Sequence, residues 1–409
     1  MANLSYSKDK MKVVLLENIH VKALDVFHEQ GFSNVELLPT TFSTDELIKK
    51  IHDAHVVGIR SVTHLTKEVL AACPKLKVIG CFCIGTNQVD THDAMMRGIP
   101  VFNDPHSNTR SVAELIIGLC IALARDIVVK NNAAHLGIWK KYAKGANELR
   151  GKTLGIIGYG RIGLQVSILA EALGMTVYYY DIEQKLAMSN VKAVSKLEDL
   201  LKISDFVTLH VPETKLTINM INKDRLKHMK KSAFLINTSR GKVVNIDDLA
   251  DALKNKQIKG AAVDVFDFEP EDPETLFENK LQKIENAILT PHIGGATEEA
   301  QESIGIQVAQ KLIYFIDRGN TEGAMNFPTL ALAPNENTHR ILHVHNNIPG
   351  MLSHLNKIFA DRQINILAQY LKTYQEIGYV VTDIEKTHRD HLLDALKGVE
   401  GTICTRILY

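Results

Sequence analysis

The chain has 409 residues, with 47 Lys plus Arg set against 47 Asp plus Glu, so it carries no overall field that would draw nucleic acid or an anionic membrane. Its 45% hydrophobic and 23% charged residues are ordinary for a globular protein. That excludes a disordered, collagenous or coiled-coil chain, and at roughly 150 residues per domain the length implies two or three domains.

The opening segment, MANLSYSKDKMK, lacks the apolar stretch of a signal peptide. MKVVLLE then reads as a strand and residues 21–28 as a helix. NVELL, HVVGI, LKVIG and IPVF follow as short apolar strands, separated by helical patterns over 44–51, 66–72 and 90–96. Such alternation predicts βα units in a mostly parallel sheet, ending near residues 103–105. Cys81 and Cys83, two apart in an apolar stretch, read as small buried hydrophobes on one strand face rather than as redox or metal groups. The five cysteines of the chain suit reduced thiols in a cytoplasm.

Residues 112–124 form the strongest apolar run, but they include Glu114 and fall short of the roughly 20 residues a membrane span needs. They predict a buried helix. The stretch onward to Arg150 shows no convincing strand and reads as a helical connection; within it Trp139, the single tryptophan, belongs either to a subunit contact or to a domain edge. From Lys152 a sharper βα series begins, with strands expected over 153–157, 176–180, 206–210, 233–237, 260–265 and 287–290. Helices are expected over 162–173, 196–201, 246–254 and 297–317, the last stopping at Arg318 and Gly319. TEGAMNFPTLALAPNENTHR is too rich in turn residues for a regular element and reads as a linker. Strands over 340–345, 364–373, 379–385 and 401–408, with helices over 349–359 and 389–397, complete a βαββαβ unit with an antiparallel sheet.

TLGIIGYGRIGLQ places Gly158, Gly160 and Gly163 as GxGxxG between a strand and a helix, where small residues permit a tight turn, a close approach of the backbone to a diphosphate, and close helix packing. The motif alone also fits a merely structural turn. Asp181 ends the next strand, where a carboxylate can accept hydrogen bonds from both ribose hydroxyls, and no arginine follows at once to receive a 2′-phosphate; NAD is therefore expected over NADP. The alternative is that Asp181 only caps the ensuing turn. His292 in TPHIGG follows a strand, where an α/β sheet presents ligands, and one histidine can take the proton of a secondary alcohol or return it to a carbonyl. Arg240 in INTSRG can clamp a carboxylate through two parallel hydrogen bonds. Glu269 in DVFDFEP can orient His292 and stabilise its protonated form. A satisfied structural histidine and two surface salt-bridge residues are the alternatives.

With GYGRIG and Asp181, INTSRG, DVFDFEP and TPHIGG in this order, the chain resembles the D-isomer-specific 2-hydroxyacid dehydrogenases over essentially its whole length. The resemblance implies an α/β architecture of three parts. A discontinuous flavodoxin-like substrate domain takes residues 1–104 with 296–330, a Rossmann-like NAD domain takes 105–295, and a ferredoxin-like ACT domain takes 331–409. It makes Arg240 the carboxylate receiver, Glu269 the partner of the histidine and His292 the acid/base. NAD is implied to lie against Gly158, Tyr159, Gly160, Arg161, Ile162, Gly163, Asp181, His210, Val211, Pro212, Thr217, Thr238 and Asp264, with Gly294 and Gly295 beside the nicotinamide.

The same resemblance assigns Arg60, Ser61, Asn108, Arg110 and Lys141, beside Arg240, to the substrate; Lys141 reaches the site of a neighbouring subunit. The resemblance implies oxidation of D-3-phosphoglycerate to 3-phosphohydroxypyruvate with NAD, in L-serine biosynthesis, and such a phosphate-bearing three-carbon acid needs receivers for both anions. In the terminal part, His345, Asn347 and Asn365 are implied to bind L-serine as effector across paired domains of a tetramer, although Ile348 stands where close relatives often carry a basic residue. His343 and His345 lack a third ligand, and no metal is expected. The chain is expected in the cytoplasm, with no nucleic-acid or membrane partner. Two other readings stay open: a dehydrogenase for another small acid such as 2-hydroxyglutarate, and a noncatalytic NAD-binding regulatory scaffold.

Overall fold

A computed structural model describes residues 7–270, 275–335, 337–386 and 391–408. The chain folds as two compact units, one made of residues 1–105 with 301–409 and the other of 106–300. In the first unit, five short strands, β1 (Val13–Leu15), β2 (Val35–Leu37), β3 (Val56–Ile59), β4 (Val78–Cys81) and β5 (Val101–Asn103), form a parallel sheet in the order β2-β1-β3-β4-β5. Inside the sheet, β1, β3 and β4 are apolar runs without polar alternation because both faces are covered, as a parallel sheet requires, whereas the edge strand β2 (VEL) is half-buried and alternates. One face packs on Leu47, Ile51 and Leu70, and the other on Phe27 together with Val308 and Leu312 of the helix Glu298–Arg318. That return helix lies so close that a Cβ on Gly80 would stand 2.8 Å from Leu312 and 2.9 Å from Val308. Cys81 ends β4 and is buried, whereas Cys83 lies past the strand end and is half-buried; the expectation of two cysteines on one strand face is corrected accordingly.

The second unit holds β6 (Thr153–Ile157), β7 (Thr176–Tyr180), β8 (Lys192–Ala193), β9 (Phe206–Leu209), β10 (Phe234–Asn237), β11 (Gly260–Val263) and β12 (Ala287–Leu289). They form one parallel sheet in the order β12-β11-β10-β9-β6-β7-β8. The apolar run read as a buried helix is the helix Thr109–Arg125, which stops at Asp126 in a left-handed conformation (φ 52°) before a second helix, Ile127–His135. Asp is among the few residues that tolerate that region, because its short side chain can bond locally. The two-residue β8 and the short helix Lys223–Leu226 were not expected, since neither is long enough to show a period.

The linker leads to four antiparallel strands, β13 (Thr338–Asn346), β14 (Ile366–Tyr374), β15 (Ile377–Glu385) and β16 (Thr402–Leu408), in the order β14-β15-β13-β16. β13 is buried on both faces. Ile341 meets Leu355, Phe359 and Leu396 on the helical side, while Leu342 and Val344 meet Phe327 and Leu330 on the other. Arg340 is 2% exposed and pairs with Asp383 through Nε (2.7 Å) and Nη2 (2.8 Å), while also donating to the carbonyls of Arg318 and Ala333. The last helix starts at Leu392; positions 389 and 390 of its expected span, like the first six residues of the leader, lie outside the described residues.

Candidate active site

The strand order of the second sheet reverses between β6 and β9, and at such a switch point the loops after the two strands part to leave a crevice at their carboxyl ends. Gly158 follows β6 with φ at +90°, and a Cβ there would stand 2.5 Å from the carbonyl oxygen of His210, the residue after β9. A Cβ on Gly163 would lie 2.6 Å from the oxygen of Gly158, so the helix Arg161–Ala172 can close on the turn only without a side chain there. At Gly160 a Cβ would meet no protein atom within 4 Å, leaving the backbone open to a diphosphate. The side chain of Tyr159 turns inward, stacked on Tyr179 at 4.3 Å and bonded to Ser167, so only its backbone faces the turn.

Two buried polar atoms beside this crevice, Nδ1 of His210 and Oγ1 of Thr238, have no partner. Unpaired buried polar atoms are costly, and both suit a bound dinucleotide. Burial pushes the His210 imidazole down to about 3, so the ring is neutral. The carboxylate of Asp181 accepts from the N–H of Tyr159 at 2.8 Å and from that of Glu183 at 3.0 Å. It therefore caps its turn, and each oxygen keeps a lone pair for a ribose. Thr217 closes its own loop, accepting from Thr214 N–H and donating to the carbonyl of Pro212; this restrains the run from Val211.

The chemical residues gather from three neighbouring strands of the same sheet. Glu269 lies beyond β11 and His292 beyond β12, and these strands pair directly. Their side chains meet with Nδ1 2.6 Å from Oε2, while the other oxygen of Glu269 accepts the N–H of Phe266 at 2.9 Å. The Glu269 bond raises the His292 pKa, against the opposing effect of burial. Burial pushes the Glu269 carboxyl up, but the bonds from His292 and Phe266 outweigh it and hold it below the ordinary value. Arg240 enters after β10. Its turn is ordered by Asn237, whose amide binds the Arg240 carbonyl and the Ser239 N–H, and a Cβ on Gly241 would sit 2.1 Å from the backbone of Phe266. Nη1 of Arg240 donates to the carbonyl of Ser239 at 2.7 Å, which aims the fork.

Asp264 organises the histidine loop. Its carboxylate accepts from Thr290 Oγ1 (2.5 Å) and from the N–H groups of Ile293 and Gly294 (2.9 Å each), and its carbonyl accepts from the N–H of His292. This role, and that of Asn237, escaped sequence reasoning; Asn before the TSRG turn was the available signal. Gly295 packs on Asn108, whose buried Oδ1 has no partner.

The remaining candidates belong to both units. Arg110 pairs with Glu114 on its own helix surface at 2.6 Å, and Lys141 is exposed. Arg60 and Ser61 follow β3 in the first sheet. His345 is buried, with Nδ1 on the carbonyl of Asn346 and Nε2 unpartnered, whereas Asn347 and Asn365 are exposed. No group of three or more His, Cys, Asp or Glu suited to a metal occurs among the described residues, and no helix among them is long and apolar enough to cross a membrane.

Residues 117–294 match the family described as D-isomer specific 2-hydroxyacid dehydrogenase, NAD binding domain, and residues 341–404 match the AHAS small subunit-like ACT domain. The chain is 51% identical over 405 residues to a D-3-phosphoglycerate dehydrogenase of Haemophilus influenzae, covering 99% of both chains. It is 51% identical over 411 residues to the protein of that name from Escherichia coli strain K12, covering 100% of both. Among solved structures, D-lactate dehydrogenase from Aquifex aeolicus, complexed with NAD and lactic acid, is 28% identical with a TM-score of 0.65, covering 78% of this chain and 100% of that one.

Proposed function

Because the chain belongs to the D-isomer-specific 2-hydroxyacid dehydrogenases, we propose that it oxidises D-3-phosphoglycerate to 3-phosphohydroxypyruvate with NAD, in L-serine biosynthesis. The observation that carries the reading is the 2.6 Å bond between His292 and Glu269, at the carboxyl end of a sheet whose next strand delivers Arg240. A bound NAD would supply the hydride acceptor for the carbon bearing the hydroxyl; the chain supplies the rest. With Nδ1 held by Glu269, Nε2 of His292 is left to take the hydroxyl proton, and the carboxylate offsets the imidazolium that results. Arg240 binds the substrate carboxylate, and Arg60 with Ser61 receives the phosphoryl group, helped by Asn108, Arg110 and a neighbouring subunit's Lys141. Gly158 to Gly163, Asp181, His210, Thr238 and Asp264 hold the cofactor.

The test is turnover of D-3-phosphoglycerate, D-lactate and D-2-hydroxyglutarate, each with NAD and NADP. The phosphorylated acid with NAD should be fastest. A faster 2-hydroxyglutarate would move the substrate, and no turnover on any acid would favour a scaffold.

Glu269→Gln should change the pH dependence. Glu269 raises the pKa of His292, and oxidation needs the neutral imidazole, so without that charge the acidic limb of kcat/KM for oxidation moves to lower pH. For reduction, which needs imidazolium, the alkaline limb moves to lower pH as well. Profiles in both directions check this; unmoved limbs would reject the coupling.

We also propose a cytoplasmic homo-oligomer, a tetramer, inhibited by L-serine at His345, Asn347 and Asn365. Leu136 (77% exposed), Ile138 (52%) and Trp139 (84%) stand exposed within four residues, which supports a subunit contact, since contiguous exposed apolar surface marks interaction sites. Calorimetry with L-serine should show binding to the full chain that weakens in Asn347→Ala while basal turnover is retained. Absence of binding to the wild type would remove the effector assignment alone.

A further inference from the structure

The first sheet has a strand reversal of its own. In the order β2-β1-β3-β4-β5 the chain turns back between β1 and β3, so their carboxyl ends flank a crevice of the kind in which α/β sheets receive ligands. Glu17 comes from the loop after β1 and Arg60 from the loop after β3. Glu17 is 7% exposed, and its carboxylate takes three backbone N–H groups of the second loop: Arg60 (3.1 Å) and Thr63 (2.8 Å) on Oε1, and Val62 (3.0 Å) on Oε2. The carbonyl of Arg60 accepts from Nε2 of buried Gln88 and from the Cys83 thiol at 3.5 Å. In the run 60–63, only the N–H of Ser61 donates to no described residue. Glu17 is left-handed, at φ 62°, a conformation that a glutamate keeps only where the surroundings over-determine it. Beside it opens a recess of about 520 Å³ lined by Glu17, Thr40, Thr41, Arg60 and Ser61.

We infer that Glu17 and Gln88 are positioning residues that hold the Arg60–Ser61 turn as a receiver for the phosphoryl group, and thereby set the preference for a phosphorylated over an unphosphorylated 2-hydroxy acid. The inference rests on Arg60 contacting that group, as proposed above. A lone carboxylate beside a phosphate would repel it. Here three N–H dipoles point at the carboxylate and offset its charge, while the Arg60 guanidinium, the Ser61 N–H and nearby hydroxyls are left for the ligand. Glutamine cannot substitute, because it offers one acceptor oxygen and turns its NH2 against a buried N–H that then lacks a partner.

The test uses the full chain with NAD and compares Glu17→Gln, Gln88→Met, Arg60→Ala and the Glu17→Gln/Arg60→Ala double variant. Each clamp variant should raise KM for D-3-phosphoglycerate about tenfold with kcat within about threefold, and should leave KM for NAD and kcat/KM for D-lactate, which has no second anion, near wild type. The double variant should be little worse than Arg60→Ala, since the clamp acts through that residue. Equal losses on both acids, or additive effects in the double variant, would mean a merely structural role and overturn the inference. Should Glu17→Gln fail to fold, Gln88→Met decides by the same split. If Arg60→Ala itself leaves KM for D-3-phosphoglycerate unchanged, the phosphoryl assignment falls and takes this inference with it. If Arg60→Ala raises that KM and the clamp variants do not, only the inference falls.

Discussion

His292→Asn is expected to lower kcat by about 10² to 10⁴, the span a positioned acid/base contributes, while NAD binding stays within about twofold because the glycine turn is untouched. Asparagine is the informative replacement. His292 sits at φ 53°, a left-handed conformation that Asn tolerates better than most residues, and its amide N–H can still donate to Glu269 and preserve the loop held by Asp264. What it cannot do is carry a proton from the substrate to solvent. Single-turnover kinetics beside a fluorescence titration with NAD separate the two properties. Near-normal chemistry in a folded variant would remove His292 from the mechanism.

Arg240→Lys should lower kcat/KM for D-3-phosphoglycerate about 10²-fold, because an ammonium cannot reproduce the two parallel bonds of a guanidinium fork and a charge-assisted bond is worth roughly 1.5–3 kcal/mol. The effect should reach the acid and spare the cofactor. The turn that carries Arg240 is set by Asn237 and by the contact of Gly241 with the Phe266 backbone, so a lysine would be delivered to the same place with the charge kept. The loss would then measure geometry rather than electrostatics. An Arg240→Lys enzyme with wild-type kcat/KM would place carboxylate recognition elsewhere.

The parallel sheets were legible because each strand is a short branched-aliphatic run, and the crevice at β6 was legible because GxGxxG needs glycine at its positions for steric reasons that now have distances. Less visible was what depends on strands distant in sequence lying side by side. Glu269 and His292 are 23 residues apart, and their meeting follows from the pairing of β11 with β12, which no local pattern encodes. Glu17 reaches Arg60 across 43 residues for the same reason, through β1 and β3, and in the sequence it is only the last letter of the strand pattern MKVVLLE. Asp181 illustrates a double use: both turn capping and ribose binding were readable from its position, and its carboxylate performs the first while keeping acceptor sites for the second. His345 was read from a motif that says nothing of depth, and it is buried.

The guanidinium of Arg340 ties Asp383 to the carbonyls of Arg318 and Ala333, so the four-stranded sheet is joined to the end of the return helix through a buried charge. A cut after Leu330 would uncover Phe327 and Met95, now packed against Leu342 and Tyr379, and would take from the carbonyl of Arg318 its Arg340 donor. Heat should therefore undo the two sheets of this unit in a single cooperative step. For anyone wishing to graft the terminal segment onto another enzyme, the transplantable piece begins in the helix Glu298–Arg318 rather than at the linker.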